Sequence, residues 1–368
     1  MKAGSKTLRM VASAAAVAAT VAATVGTTAA GASTKGIPAA KRAVAALEKR
    51  PEHLPSTQAV GKAIPTGKTF DWLQCSLPTC TILTPPLEAA AAKLGWTIKV
   101  VPAGITPETV KNAWDVAVRD HPDGVFASGF PKTIFATELA QLKADNIPVV
   151  DLAVGTTSGT GLTAIIQGNN TNHKIGLALA DWVLAQKGKA ANTLLISSST
   201  FSTLAKIEQG FSGEYKRLCS SCALGTLNEP ATTFGTSLPN DVVAYLKTHP
   251  KVNYVVPDES AMNTGLPQAL ASAGLSKQVG IVSQYPSTTT VQYLKSGQMN
   301  AIVMPQMVDS MWQMADAMAR QMAGVSVVPA EAPSPLWMVT PKTAGKLTTP
   351  YFLVPNYQEK YQQLWGVK

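Results

Sequence analysis

Short β-prone runs and amphipathic helical stretches alternate along most of this chain. Residues 69–74 and 96–101 are β-prone; between them 85–94 is rich in Ala and Leu, and Gly95 supplies a helix stop. Strand, helix and strand in that order make one βαβ unit, because parallel strands need a crossover helix. The unit recurs. A helix is predicted over 107–119, with Val110, Trp114, Ala117 and Val118 on one face, then a strand over 124–127 after the turn signal His121-Pro122-Asp123-Gly124. A helix over 132–144 and strands over 147–152 and 162–167 complete this set.

The alternation then restarts. Helix 170–186 carries Ile175, Leu179, Trp182 and Val183 at helical spacing. Strands follow at 192–196, 223–227, 252–256, 279–283 and 301–304, with helices at 202–218, 236–247, 261–273 and 287–295. Strands alternating with helices of this length predict parallel sheets covered on both faces. Two such sets in succession predict two doubly wound α/β lobes, with crossing points near 167–170 and 304–306. The Met-rich helix 307–322 is read as core packing, since Met fills irregular gaps well. A late strand is placed at 336–339. Phe352, Tyr357, Tyr361 and Trp365 are read as docking the tail onto a lobe. The expected division is 1–32 signal, 33–67 leader, 68–167 plus 305–338 first lobe, and 168–304 plus 339–368 second lobe. The leader has one short amphipathic stretch, 39–49, and is expected to lie on the surface or be partly disordered.

Composition agrees with this picture. At 368 residues the chain exceeds one ordinary core, and 46% hydrophobic with 14% charged residues marks it as globular. Lys2, Lys6 and Arg9 precede an Ala/Val-rich run over 10–25, the pattern of an export signal. Ala30-Gly31-Ala32 or Thr28-Ala29-Ala30 would suit cleavage. Val is the only large aliphatic after Met10 over residues 10–30, too weakly apolar for a permanent anchor. No Cys near the cleavage site supports a lipid-modified terminus, and no Arg-Arg pair supports the twin-arginine route. The expected localisation is therefore the cell envelope, periplasm or exterior. The formal charge of +9 includes the three signal cations, and the other basic residues are scattered, which argues against a nucleic-acid partner.

Cys75/Cys80 and Cys219/Cys222 form two close pairs. In an exported protein each pair is expected to close locally as a disulfide. Cys219-Ser-Ser-Cys222 follows a helix rather than opening one, the wrong end for a redox dithiol. The cysteines and histidines show no zinc spacing, so no metal or cofactor is expected. The chain has no Gly-x-Ser-x-Gly, His-Glu-x-x-His or phosphate-loop motif, and His53, His121, His173 and His249 have no obvious catalytic partner. An enzyme is not expected. The loops at the carboxyl ends of the strands instead offer hydroxyls, amides and carboxylates framed by Phe130, Phe201, Phe234 and Tyr285. Such a mixture suits a small polar ligand in a cleft.

From about residue 68 to 340 the chain resembles the periplasmic sugar-binding proteins of the ribose-binding type, the receptors of ABC importers. Ala92-Lys93-Leu94-Gly95-Trp96, Asn146-Ile147-Pro148-Val149-Val150, Gln209-Gly210-Phe211, Thr248-His249-Pro250 and Leu294-Lys295-Ser296-Gly297-Gln298 carry the resemblance, in this order. It implies the type I periplasmic-binding-protein fold: two α/β lobes joined by a three-segment hinge that closes on a ligand. Thr79 and Cys80 stand where the family stacks two phenylalanines on the sugar, and Ala153-Val154 where it has an Asp-Arg fork. Lys206 lies near a family arginine, Phe234 matches a family phenylalanine, and Glu259 falls in an Asn-Asp loop. Tyr285 replaces an aspartate, and Gln306 matches a hinge glutamine. The resemblance implies an exported receptor that hands a small sugar or sugar-like solute to ABC permease subunits. Loss of the charged fork predicts a ligand less hydroxylated than a free pentose. The alternative is a signal receptor of the same fold that presents its ligand to a membrane sensor.

Overall fold

The computed structural model describes Met1 and residues 36–368, so the expected export signal lies outside the described residues. Among them, no helix is long and apolar enough to cross a membrane. The chain enters through α1 (Ile37–Leu47) and begins its first sheet at β1 (Thr69–Cys75). There follow α2 (Pro78–Thr81), α3 (Thr84–Lys93), β2 (Thr97–Gly104), α4 (Pro107–Asp120), β3 (Gly124–Ser128), α5 (Ala136–Ala144), β4 (Val149–Leu152) and β5 (Ala164–Ile166). These strands form one sheet, in the order β2-β1-β3-β4-β5, with every pair parallel. Helices cover both faces, which explains why Val125, Phe126, Val149, Val150, Ala164 and Ile166 are all buried. Thr106 caps α4 by accepting from the Thr109 amide at 3.3 Å, and His121 ends that helix in the left-handed region at φ 45°.

The second lobe repeats the scheme with α6 (Asn169–Lys187), β6 (Asn192–Ser197), α7 (Leu204–Leu218), β7 (Ala223–Asn228), α8 (Leu238–Thr248) and β8 (Tyr254–Pro257). It continues through α9 (Leu266–Ser272), β9 (Gly280–Gln284), α10 (Thr288–Lys295) and β10 (Ala301–Met304). After α11 (Val308–Met322), β11 (Trp337–Val339) returns to pair antiparallel with β10. The sheet order is β11-β10-β9-β8-β6-β7. Helices α6 and α7 pack so closely that a Cβ on Gly176 would lie 2.1 Å from the Ile207 carbonyl oxygen. Cys219–Cys222 is bonded at the end of α7, and Cys75–Cys80 spans α2 and the end of β1, as expected.

The strand and helix sequence follows the expected alternation, with ends moved by a few residues. Two regions differ. The leader is docked rather than loose: α1 lies on α6 with Ala40 and Val44 buried, and the chain then runs onto the first lobe. Arg50 donates to the carbonyls of Leu353 (2.9 Å) and Phe352 (2.8 Å), with its guanidinium over the rings of Trp337 and Phe352. Further along, Val60 donates to the Leu364 carbonyl at 2.8 Å, and Trp96 Nε1 donates to that of Pro65 at 2.7 Å. The second difference concerns the C-terminus. α12 (Tyr357–Trp365) packs on α11, beside the first sheet, whereas the expected division placed 339–368 in the second lobe. The cause lies in α11, where Val308 through Arg320 are buried on every side. Its outer face needs a cover, and Trp365 supplies one by stacking on Trp312 with centroids 5.3 Å apart. Trp365 Nε1 also donates at 2.9 Å to Asp316, which is paired with the buried Arg320.

Candidate functional site

The sheets present the carboxyl ends of their parallel strands to one cleft, where open α/β folds bind ligands. The space there has a volume of about 670 Å³, its mouth included. From the first lobe, Leu77, Cys80 and Leu83 come from the segment after β1, and Leu152 and Ala153 from the end of β4. The disulfide between Cys75 and Cys80 fixes the loop that carries Leu77. Met307 and Ser310, at the start of α11, complete this wall. From the second lobe come Phe201, Thr203 and Leu204 after β6, Glu259 after β8, and Gln284 and Tyr285 at the end of β9. Gln167 and Gln306, on two of the hinge crossings, form the floor.

The cleft is closed. Ser202 donates from its amide to the Gly129 carbonyl at 3.2 Å, and the Gly155 amide donates to Ser202 Oγ at 2.9 Å. Phe130 of the first lobe meets Phe201 of the second with ring centroids 5.2 Å apart. A Cβ on Gly155 would lie 2.3 Å from the Ser202 carbonyl oxygen, so contact at this point requires a glycine. The floor ties lobes and hinge together. Tyr285 donates its hydroxyl to Gln167 Oε1, and Gln167 Nε2 donates to the Gln306 carbonyl at 2.6 Å. Ala153, Gln167 and Tyr285 hold φ angles of 59°, 52° and 57°, left-handed values that side-chain-bearing residues seldom adopt. Such strain clusters at functional sites.

Two buried amides among the lining residues, Gln284 and Gln306, are unfinished. Gln284 donates through Nε2 to the Asp258 carbonyl at 2.7 Å, while its buried Oε1 accepts no bond among the described residues. Neither end of the buried Gln306 amide makes a well-formed hydrogen bond, although the Tyr361 hydroxyl interacts with it. Leaving such groups dry and unpaired costs roughly 1–3 kcal/mol each, a cost that a hydrogen-bonding guest removes. Glu259 is 8% exposed, and its Oε2 accepts from the Ala261 amide at 2.7 Å. Among the described residues, no Lys, Arg or His lines the space. Two carboxyls lie next in sequence to lining residues. Burial pushes Asp151 up to about 8, an effect only partly offset by the Gly129 and Leu152 amides. Burial also raises Asp258 well above the usual carboxylate range.

The structure brings Phe201, Glu259, Tyr285 and Gln306 of the expected site residues to the cavity. Phe130 sits behind Phe201, 3% exposed. Lys206 turns away along α7, with Nζ 3.3 Å from Gln209 Oε1, and Phe234 is half-buried outside the lining. The Thr79 side chain lies outside the described residues. Sequence reasoning missed Gln167, Gln284, Leu77, Leu83, Leu152 and Met307. Gln167, Gln284 and Leu77 do fall in crossings or strand-end loops that it singled out, so position carried the signal where residue type did not.

Two lobes closed over a buried, partly unpaired cavity at the strand ends define a hinged small-molecule receptor. A model of the periplasmic binding protein domain matches residues 83–326, and the chain belongs to that family. A comparison with curated proteins returns no match. Among solved structures, a glucose-galactose binding protein from Geobacillus stearothermophilus is 18% identical and superposes with a TM-score of 0.68, over 76% of this chain and 99% of its own. A 5-methylthioribose transporter solute binding protein from Thermotoga lettingae is 13% identical, with a TM-score of 0.70 over 82% and 98%. A periplasmic ribose ABC transporter protein from Conexibacter woesei is 15% identical, with a TM-score of 0.64 over 78% and 96%. At these identities the likeness is one of fold.

Proposed function

We propose that this protein is an exported receptor that captures a small sugar or sugar-like molecule between its lobes and delivers it to an ABC importer. The observation that carries the reading is the closed inter-lobe cavity, whose lining residues include Gln284, with an unpaired buried Oε1, and Gln306, whose buried amide lacks a well-formed hydrogen bond. Hinge closure then serves a purpose. An open cleft admits the solute, the Ser202 contacts with Gly129 and Gly155 bring the lobes together, and the ligand completes the hydrogen bonding of the floor. The solved neighbours named above are a glucose-galactose binding protein, a 5-methylthioribose transporter protein and a ribose transporter protein, which supports a sugar-type solute here. The ligand role of Phe201, Glu259, Tyr285 and Gln306 belongs to this proposal. So does partnership with membrane permease subunits, which would read the closed form.

A thermal-shift screen across sugars, polyols, nucleosides and aromatic acids tests the reading, because a ligand that binds only the folded protein raises its melting temperature by mass action. A concentration-dependent rise with a sugar or polyol is the expected result. A rise with aromatic acids alone would overturn the sugar reading.

A further inference from the structure

The cavity is chemically lopsided. Its first-lobe side presents Leu77, Leu83, Leu152, Ala153 and Met307, with two hydroxyls, Ser128 and Ser310, the latter already donating to the Met307 carbonyl. Its second-lobe side and floor present Thr203, Glu259, Gln284, Tyr285, Gln167 and Gln306, beside the apolar Phe201 and Leu204. A free polyol carries hydroxyls around its whole rim. Enclosed here, the hydroxyls facing Leu83 and Leu152 would lose water and gain no partner. An apolar substituent on that side would instead be removed from water against the leucines.

Charge narrows the choice further. No cation among the described lining residues stands ready to neutralise an anionic group, while Glu259 faces the space. A phosphate or carboxylate would enter a mostly apolar cavity with no counter-charge, at a large desolvation cost.

We infer that the solute is a neutral sugar-like ring bearing an apolar substituent, with the substituent against the Leu83/Leu152 wall and its hydroxyls toward Glu259, Gln284 and Gln306. This rests on the receptor reading above and narrows its ligand class. The test is calorimetric titration of the whole protein with matched sets. Ribose, glucose and galactose are each supplied free, with an alkyl or methylthio group at the terminal carbon, and with a phosphate at the same carbon. The expected result is that, in at least one set, the alkylated or methylthio form binds about tenfold or more tighter than the free sugar, and the phosphate does not bind. A free or phosphorylated sugar that binds as tightly as its substituted partner overturns the inference and leaves the receptor reading standing. Absence of binding by all three sets at millimolar concentration overturns both.

Discussion

The walls of the cleft come from lobes built on one scheme, yet they do different jobs. The first lobe contributes Leu77, Leu83, Leu152 and Ala153 with the hydroxyl of Ser128, and the second Thr203, Glu259, Gln284 and Tyr285 beside Phe201 and Leu204. Strands of both sheets end in the same place relative to the cleft, so backbone topology cannot account for the contrast. It arises in the loops. At β4 the chain leaves the strand through Leu152-Ala153, and at β8 and β9 through Asp258-Glu259 and Gln284-Tyr285. A common scaffold thus delivers one mostly apolar and one more polar surface, and closure presses both on one solute.

The largest expected effect comes from keeping the walls apart. Gly155→Val places side-chain atoms where Ser202 must sit and should hold the cleft open. If the competent closed form falls to about one part in a hundred, apparent affinity falls about a hundredfold, with melting temperature unchanged. Calorimetry beside thermal denaturation checks both halves, and unchanged affinity would show that closure does not need this contact.

Next come the polar groups. Glu259→Gln and Gln306→Ala should each weaken binding by roughly 1–3 kcal/mol, the scale of hydrogen bonds lost in a dry site. Comparable loss for Lys206→Ala, outside the lining, would blur the distinction between walls.

A smaller effect concerns the rigidity of the apolar wall. Replacing Cys75 and Cys80 by Ser frees the loop that carries Leu77. So short a loop adds at most about 2 kcal/mol to stability on the chain-closure model. Affinity should fall more than stability does, and the reverse would make the bridge a plain staple.

A separate effect, on stability rather than on binding, is a pH signature behind the same wall. Burial raises the Asp151 carboxyl to about 8, against an ordinary value of about 3.9 when unfolded. Folding therefore favours the protonated form. The penalty is absent below about pH 4, grows as pH rises, and is complete above about 8. Asp151→Asn should leave the melting temperature nearly unchanged at pH 4 and raise it at pH 8.5. An equal shift at both values would rule out this titration as the cause.

Much of the fold could be read from the sequence, because strands covered on both faces write themselves as apolar runs such as Val149-Val150 and Ala301-Ile302-Val303. The leader could not. The helix around Ala40 and Val44 has too short a stripe to reveal that it packs on a helix from the second lobe. The tail's aromatics announced docking but not its place, which depends on a bare face of α11 visible only in three dimensions. In the site, strand-end loops located Glu259 and Tyr285, since topology fixes where such loops lie. Lys206 stands near a family arginine in the resemblance, but the phase of α7 turns it toward Gln209. Leu83 and Leu152 carried no signal, because an apolar residue beside a strand reads as core until the cleft is seen.

The most direct test uses one variant from each wall and two forms of one ligand. Leu152→Asn and Gln306→Ala are each titrated calorimetrically with the alkylated or methylthio sugar that binds best and with its free parent. Leu152→Asn is expected to abolish the preference for the substituted form while leaving the free sugar's affinity nearly unchanged, and Gln306→Ala to weaken both forms equally. Parallel losses for both ligands in both variants would contradict this, since the walls would then not divide the solute between them.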